Sequence, residues 1–161
     1  MKKPGYEMEY VKMEDSGQRS FGQKKSHTIV FVAGGMGYLH QEDEKDVCTM
    51  EDLIFIKPGN KVKLEYRKNK YPLELYVLYV GTELLRSLSD ENTKLDEAFD
   101  VVPFRVKTVH SESESAMLIK NISKKLYAMI KESPKFAHTL YEKSLLTMLL
   151  VLALRSSVQE D

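Results

Sequence analysis

From Thr28 onward the chain consists of short runs of β-branched and aromatic residues separated by turn formers. Thr28 to Leu39 reads TIVFVAGGMGYL, and Gly34-Gly35 divides it into two strands. Gln41 to Lys45 is a charged turn, and Asp46 to Thr49 makes another short strand before a turn around Glu51-Asp52. Leu53 to Lys57 runs into Pro58-Gly59-Asn60, a turn signal because proline fixes φ and glycine accepts positive φ. Val62, Leu64 and Tyr66 alternate with Lys61, Lys63, Glu65 and Arg67, the period of a strand with one dry face and one wet face. Leu73 to Val80 is apolar enough for the centre of a sheet. Roughly six short strands between His27 and Val80, at turn-rich spacing, predict a sandwich or barrel.

The texture then turns helical. Gly81 to Leu88 predicts a short helix on the barrel rim, residues 89–100 a polar loop, and Val101 to Val109 a last edge strand that tolerates Pro103. Ser111 and Glu114 stand in capping-box spacing at the start of a longer helix. Ile119, Ile122, Leu126, Met129 and Ile130 form one stripe at helical period, and Ser133-Pro134 ends the helix. A second helix follows from about Lys135 to Ser156. Ahead of the strands, Met1 to Lys25 is polar, with Gly5, Gly17 and Gly22, and reads as an arm or irregular strand. The expected organisation is an arm over 1–26, a β-barrel over 27–109 and a two-helix segment over 110–161.

Leu145, Leu146, Met148, Leu149, Leu150, Val151, Leu152, Ala153 and Leu154 cover every side of the second helix. A helix apolar all round is normally buried all round. The economical arrangement packs one side on the first helix and the barrel and the other on a second copy of the chain. Leu145, Met148, Leu149 and Leu152 are the expected homodimer contacts. In the competing arrangement, one chain covers the whole helix.

Composition narrows the classes. The 161 residues are 42% hydrophobic and 30% charged, as in ordinary globular proteins. Lys plus Arg equals Asp plus Glu at 24 each, so no net field gathers nucleic acid or anionic lipid. A lone cysteine, Cys48, excludes an intrachain disulfide and a Cys-rich zinc site. The longest apolar stretch, Leu145 to Leu154, makes about 15 Å of helix, roughly half a bilayer core. Together with an amino end that lacks a secretory pattern, this makes cytoplasmic the default location and a membrane partner unexpected.

Thr28 to Tyr66 resembles the N-terminal cupin domain of AraC-family bacterial transcription regulators. The shared features are a strand ending in Gly-x-Gly (Gly35 and Gly37), a short hairpin, an Asp-led strand (Asp52 to Ile56), a turn at Pro58 and an alternating strand. Glu74 to Gly81 is similar to the later strand that leads into the family's rim helix, and Ser111 to Ser156 to its antiparallel helix pair. The resemblance covers about residues 27–156. It implies a mainly β fold with C-terminal helices, a cupin-like double-stranded β-helix barrel (jelly roll) followed by an antiparallel helix pair. It also implies an effector-binding domain that dimerises through its last helix. In the family, two helix-turn-helix units follow and read DNA. Nothing in this sequence supplies them, so DNA contact is expected only through such units, and the chain reads as an excised half.

The chemistry favours binding over catalysis. Metal-dependent cupins hold an ion with two histidines, a glutamate and a further histidine. Aligned, those places fall near Gly22, Lys24, Thr28 and Val62, none of which serves as required. His27, His40, His110 and His138 are scattered, and the pair His40 and Glu42, which could point to one side of a strand, reads chiefly as a solvated hairpin end. Cys48 reads as a small core residue. No cofactor is expected.

What remains is the inward face of the barrel, whose residues either simply pack the core or line a cavity for one small ligand. Val62, Leu64 and Tyr66 on one strand and Leu75, Val77 and Tyr79 on another are its candidate lining, with Phe31, Tyr38 and Phe55 from neighbours. Tyr66, Tyr79 or His27 would supply polar contacts. Sugar-responsive relatives carry polar and aromatic groups where this chain has Val and Leu, and there is no Trp. An apolar or aromatic effector is therefore expected ahead of a sugar, with the arm folding over the mouth and Tyr6 or Tyr10 reaching inward. The alternatives are a metal-dependent cupin isomerase or dioxygenase with non-standard ligands, and a stand-alone structural cupin.

Overall fold

The computed structural model describes residues 5–106 and 113–157. Among these, β1 (Tyr6–Met13), β8 (Leu73–Gly81), β3 (Ser26–Gly34), β6 (Leu53–Ile56) and β9 (Arg105–Val106) form one antiparallel sheet in that order. The second sheet runs β2 (Gly17–Phe21), β7 (Val62–Tyr66), β4 (Met36–Gln41), β5 (Glu44–Thr49). Helices α1 (Thr82–Leu88) and α2 (Leu95–Val101) follow β8, and α3 (Ser113–Lys131) and α4 (His138–Ser157) come last.

Strand periodicity separates two cores. On β3, Val30 and Val32 point between the sheets and meet Ile54, Leu64, Leu75 and Val77. Ile29 and Phe31 point the other way and meet Leu126, Leu146 and Leu150 from the helices. The five-stranded sheet is thus buried on both faces, which explains the near-continuous apolar run of Leu73 to Val80. Gly35 permits the sharp return from β3 to β4. Its φ is +74°, and a Cβ there would lie 2.2 Å from the Pro72 carbonyl oxygen. At the far edge, the Arg105 guanidinium ties the sheets together, pairing at 2.6 Å with Asp52 and at 2.7 Å with Asp46.

Several expectations are corrected. The supposed arm is built into both sheets as β1 and β2: Tyr6, Met8 and Tyr10 alternate with Glu7 and Glu9 along β8. Tyr6 and Tyr10 therefore face the helices and do not reach into the barrel. The polar stretch over 89–100 contains α2, whose Leu95 and Phe99 are buried. The last edge strand shrinks to Arg105–Val106, while residues 107–109, His110, Ser111 and the side chain of Glu114 lie outside the described residues. Helix α4 starts at His138, because Ala137 adopts a positive φ of 55°.

Helix α4 buries Leu146, Leu149, Leu150 and Ala153 against the same chain. Leu145 and Leu152 are half-buried, and Met148 and Val151 stay exposed at 50% and 37%. Leu149 is therefore removed from the expected pairing face, since its own barrel and α3 already enclose it.

Candidate functional site

Two registers fix what lines one end of the barrel. Cross-strand pairing places Glu7, Tyr79, Thr28 and Ile56 in a row, with Glu9, Val77, Val30 and Ile54 in the next. Phe21 and Val62, paired on β2 and β7, lie between the sheets with them. This end is more polar than the rest of the interior. Gln23 donates to Glu7 at 3.4 Å, and Arg19 pairs with Glu9 while its guanidinium lies over the Phe21 ring. Burial first, then the Glu9 charge, pushes the Tyr79 hydroxyl up to about 12, so it stays a donor at neutral pH.

Two buried polar atoms here lack a hydrogen-bond partner among the described residues, Thr28 Oγ1 and Glu9 Oε1. Thr28 is 1% exposed, so its hydroxyl has no recourse to bulk water. Beside Ile56 and Val62 opens a cleft of about 420 Å³. Phe55, Ile56, Val62, Val102 and Phe104 form its apolar wall, and Lys57, Asn60, Lys61, Gln41 and the Glu42 carboxylate supply the larger, polar share of its lining.

The ten nominated ligand contacts separate into three groups. Val62, Leu64, Tyr66, Leu75, Val77 and Tyr79 share the barrel interior, as expected from the alternation. Within that set, only Val62 borders the cleft. Tyr66 is committed to the loop after β7: its hydroxyl donates to the Tyr71 carbonyl at 2.8 Å and accepts from Asn69 N–H at 3.0 Å. Leu64 and Leu75 are at most 1% exposed and serve as packing.

His27, Phe31 and Phe55 face the helix side. His27 lies 3.4 Å from Asp100 and packs on Phe99. Burial holds its pKa below the ordinary histidine value despite the nearby Asp100 charge. Phe55 also reaches the rim and borders the cleft. Tyr38 lies on the outer surface, clasped by Lys45 at 4.5 Å and Arg67 at 4.4 Å. It faces away from the barrel interior and cannot line it.

Sequence reasoning missed Glu7, Glu9, Arg19 and Thr28 at the mouth, and Ile56 and Phe104 in the cleft. The first two had a signal, the strict alternation of Tyr6-Glu7-Met8-Glu9-Tyr10. Phe104 had none, because only tertiary contact brings it beside Phe55, whose N–H bonds to its carbonyl at 2.8 Å.

No group of three His, Cys, Asp or Glu residues is placed to share a metal ion among the described residues. His40 Nε2 lies 2.8 Å from Glu65 Oε1 instead of pairing with Glu42, and that bond helps hold the Glu65 carboxyl below the usual carboxylate range. Cys48 is fully buried, with its thiol pushed up to about 11 by burial, the opposite of an activated nucleophile. No helix among the described residues is long and apolar enough to cross a membrane.

Comparison with known proteins agrees with this architecture. Apo ToxT from Vibrio cholerae, crystallised as a point variant, superposes with a TM-score of 0.62 at 9% identity, covering 99% of this chain and 61% of ToxT. The chain thus spans less than two thirds of that protein's length. A Klebsiella pneumoniae protein with a double-stranded β-helix domain matches 50% of this chain and 71% of its own, at TM-score 0.46 and 12% identity. The Clostridium difficile EutQ protein matches 48% of this chain and 58% of its own, at TM-score 0.39 and 21% identity. No curated protein matches. The model of the AraC-like ligand-binding domain matches residues 15–150. The chain belongs to the family of AraC-like ligand-binding domains.

Proposed function

We propose that this chain is the effector-binding and dimerising part of an AraC-type transcription regulator, a non-enzymatic sensor. A small apolar or aromatic molecule seats in the cleft at the barrel mouth, and two copies pair through α4. DNA is then reached only through helix-turn-helix units outside these 161 residues. The observation that carries this reading is the cleft of about 420 Å³, which joins an apolar wall to a charged rim, in a domain of a ligand-binding family. Its volume is within the range of small-molecule sites. Gln41, Asn60 and Lys61 on its rim offer orienting hydrogen bonds.

A thermal-shift screen against small aromatic and aliphatic metabolites tests the reading. A ligand at 100 times its Kd stabilises by about 2.7 kcal/mol, roughly 5–10 °C for a domain of this size. Asn60→Trp, a change of an exposed rim residue, should abolish the shift by filling the cleft. A ligand whose shift survives that substitution undiminished refutes the site.

A further inference from the structure

We infer that strand β1 transmits the state of the barrel mouth to helix α4 through a buried latch of Tyr6, Glu142 and His138. The inference rests on the reading of the cleft beside Ile56 and Val62 as the effector site and of α4 as the pairing helix.

The period of two along β1 creates this role. Glu7 and Glu9 face the mouth, where Gln23 and Arg19 hold them. Tyr6, Met8 and Tyr10 face the helix layer. Tyr10 packs on Tyr127 of α3 with ring centres 6.1 Å apart. Tyr6 donates its hydroxyl hydrogen bond to Glu142 on the second turn of α4. Neighbouring residues of one strand thus grip the two places that a sensor must connect. Successive side chains of a strand point to opposite faces, so a shift of the β1 backbone carries both sets with it.

The latch is costly, and its histidine is incompletely satisfied. Tyr6, Glu142 and His138 are 6%, 8% and 9% exposed, so the carboxylate is withdrawn from bulk water. Burial, followed by the bond to Glu142, drives the Tyr6 hydroxyl far above its ordinary pKa and keeps it a donor. His138 Nε2 lies 3.1 Å from Glu142 Oε1 without the geometry of a hydrogen bond. Fully satisfied buried networks rigidify a fold, whereas a buried polar group left unpaired within one costs stability.

The strand is also placed to move. Among the described residues, β1 pairs within its sheet with β8 alone. Across its other edge, side chains of Arg19 and Gln23 make the bridge to the β2 side. An effector seated in the cleft bears on β1 along the row Ile56, Thr28, Tyr79 and Glu7, and a displacement carried along that row opens the bridge. β1 then shifts, Tyr6 leaves Glu142, and the first turns of α4 loosen. The exposed stripe of Tyr141, Met148 and Val151 is re-aimed as a result.

Amide hydrogen exchange on the whole 161-residue chain tests this, comparing wild type with Glu9→Gln, Tyr6→Phe and Glu142→Leu. Glu9→Gln and Tyr6→Phe should each speed exchange over residues 138–146 by about tenfold, leaving β3 and β8 unchanged. In the Glu142→Leu background, where no latch exists, neither substitution should add anything. Wild-type exchange in α4 for Glu9→Gln, or an undiminished effect of Glu9→Gln without Glu142, overturns the inference. Sedimentation of the same proteins separates the two ideas. A monomeric wild type refutes pairing through α4, while the exchange pattern still decides the latch.

Discussion

Met148→Lys puts a charge in the middle of the exposed stripe on α4, and its effect on association follows from the burial on each side of the helix. Met148 is 50% exposed within one chain, so about half of its surface remains for a partner to cover. Full burial of such a side chain is worth roughly 1.5–3 kcal/mol, and the uncovered half about 1 kcal/mol. Two-fold symmetry presents the residue twice, for about 2 kcal/mol, and each tenfold in affinity is about 1.4 kcal/mol. The dimer Kd should therefore rise by about 30-fold, and further if both ammonium groups are desolvated. Sedimentation velocity over a concentration series measures this directly. Leu149→Ala is the contrasting change, because that side chain is 5% exposed and packs inside its own chain. It should cost about 2–5 kcal/mol of folding stability in urea denaturation, with pairing reduced only through unfolding. An unchanged Kd for Met148→Lys in a folded chain refutes the assignment of this face. So does a wild type that is monomeric at high concentration.

Arg105→Met strips the buried Asp52 carboxylate of its guanidinium and should destabilise the fold by about 3–5 kcal/mol in chemical denaturation, with Asp52→Asn added on top recovering part of the loss. His27 has its pKa lowered by burial, so the unfolded chain takes up the proton first as pH falls. Stability present above about pH 6.5 should decline below it, until the folded-state pKa is reached, and His27→Gln should flatten that decline in melts between about pH 5 and 8. Cys48, with its thiol pushed up to about 11, should react with a thiol reagent at neutral pH only as fast as the chain opens, and rapid labelling of folded protein would contradict the burial.

Local pattern was enough to determine the strands from β3 to β8, the division at Gly34-Gly35 and the two final helices. In each case, periodicity and turn chemistry agree with the tertiary environment. The order of those elements also carried the family resemblance. The inward set of Val62, Leu64, Tyr66, Leu75, Val77 and Tyr79 was legible for the same reason, since a strand of period two cannot mix its faces.

What the pattern left open was which face of a doubly buried strand meets which layer. β3 and β6 are apolar on both sides, so nothing local marks Phe31 as a helix contact and Val30 as a barrel contact. Composition also hid β1, whose glutamates look like those of a solvated arm until β8 pairs with it and Arg19 covers one of them. The apolar girdle of α4 pointed to burial without saying by whom. Only packing shows that Leu149 and Leu150 are enclosed by their own chain while Met148 stands uncovered. Sequence specifies surfaces that must leave water, and the assembled layers decide which of them find each other.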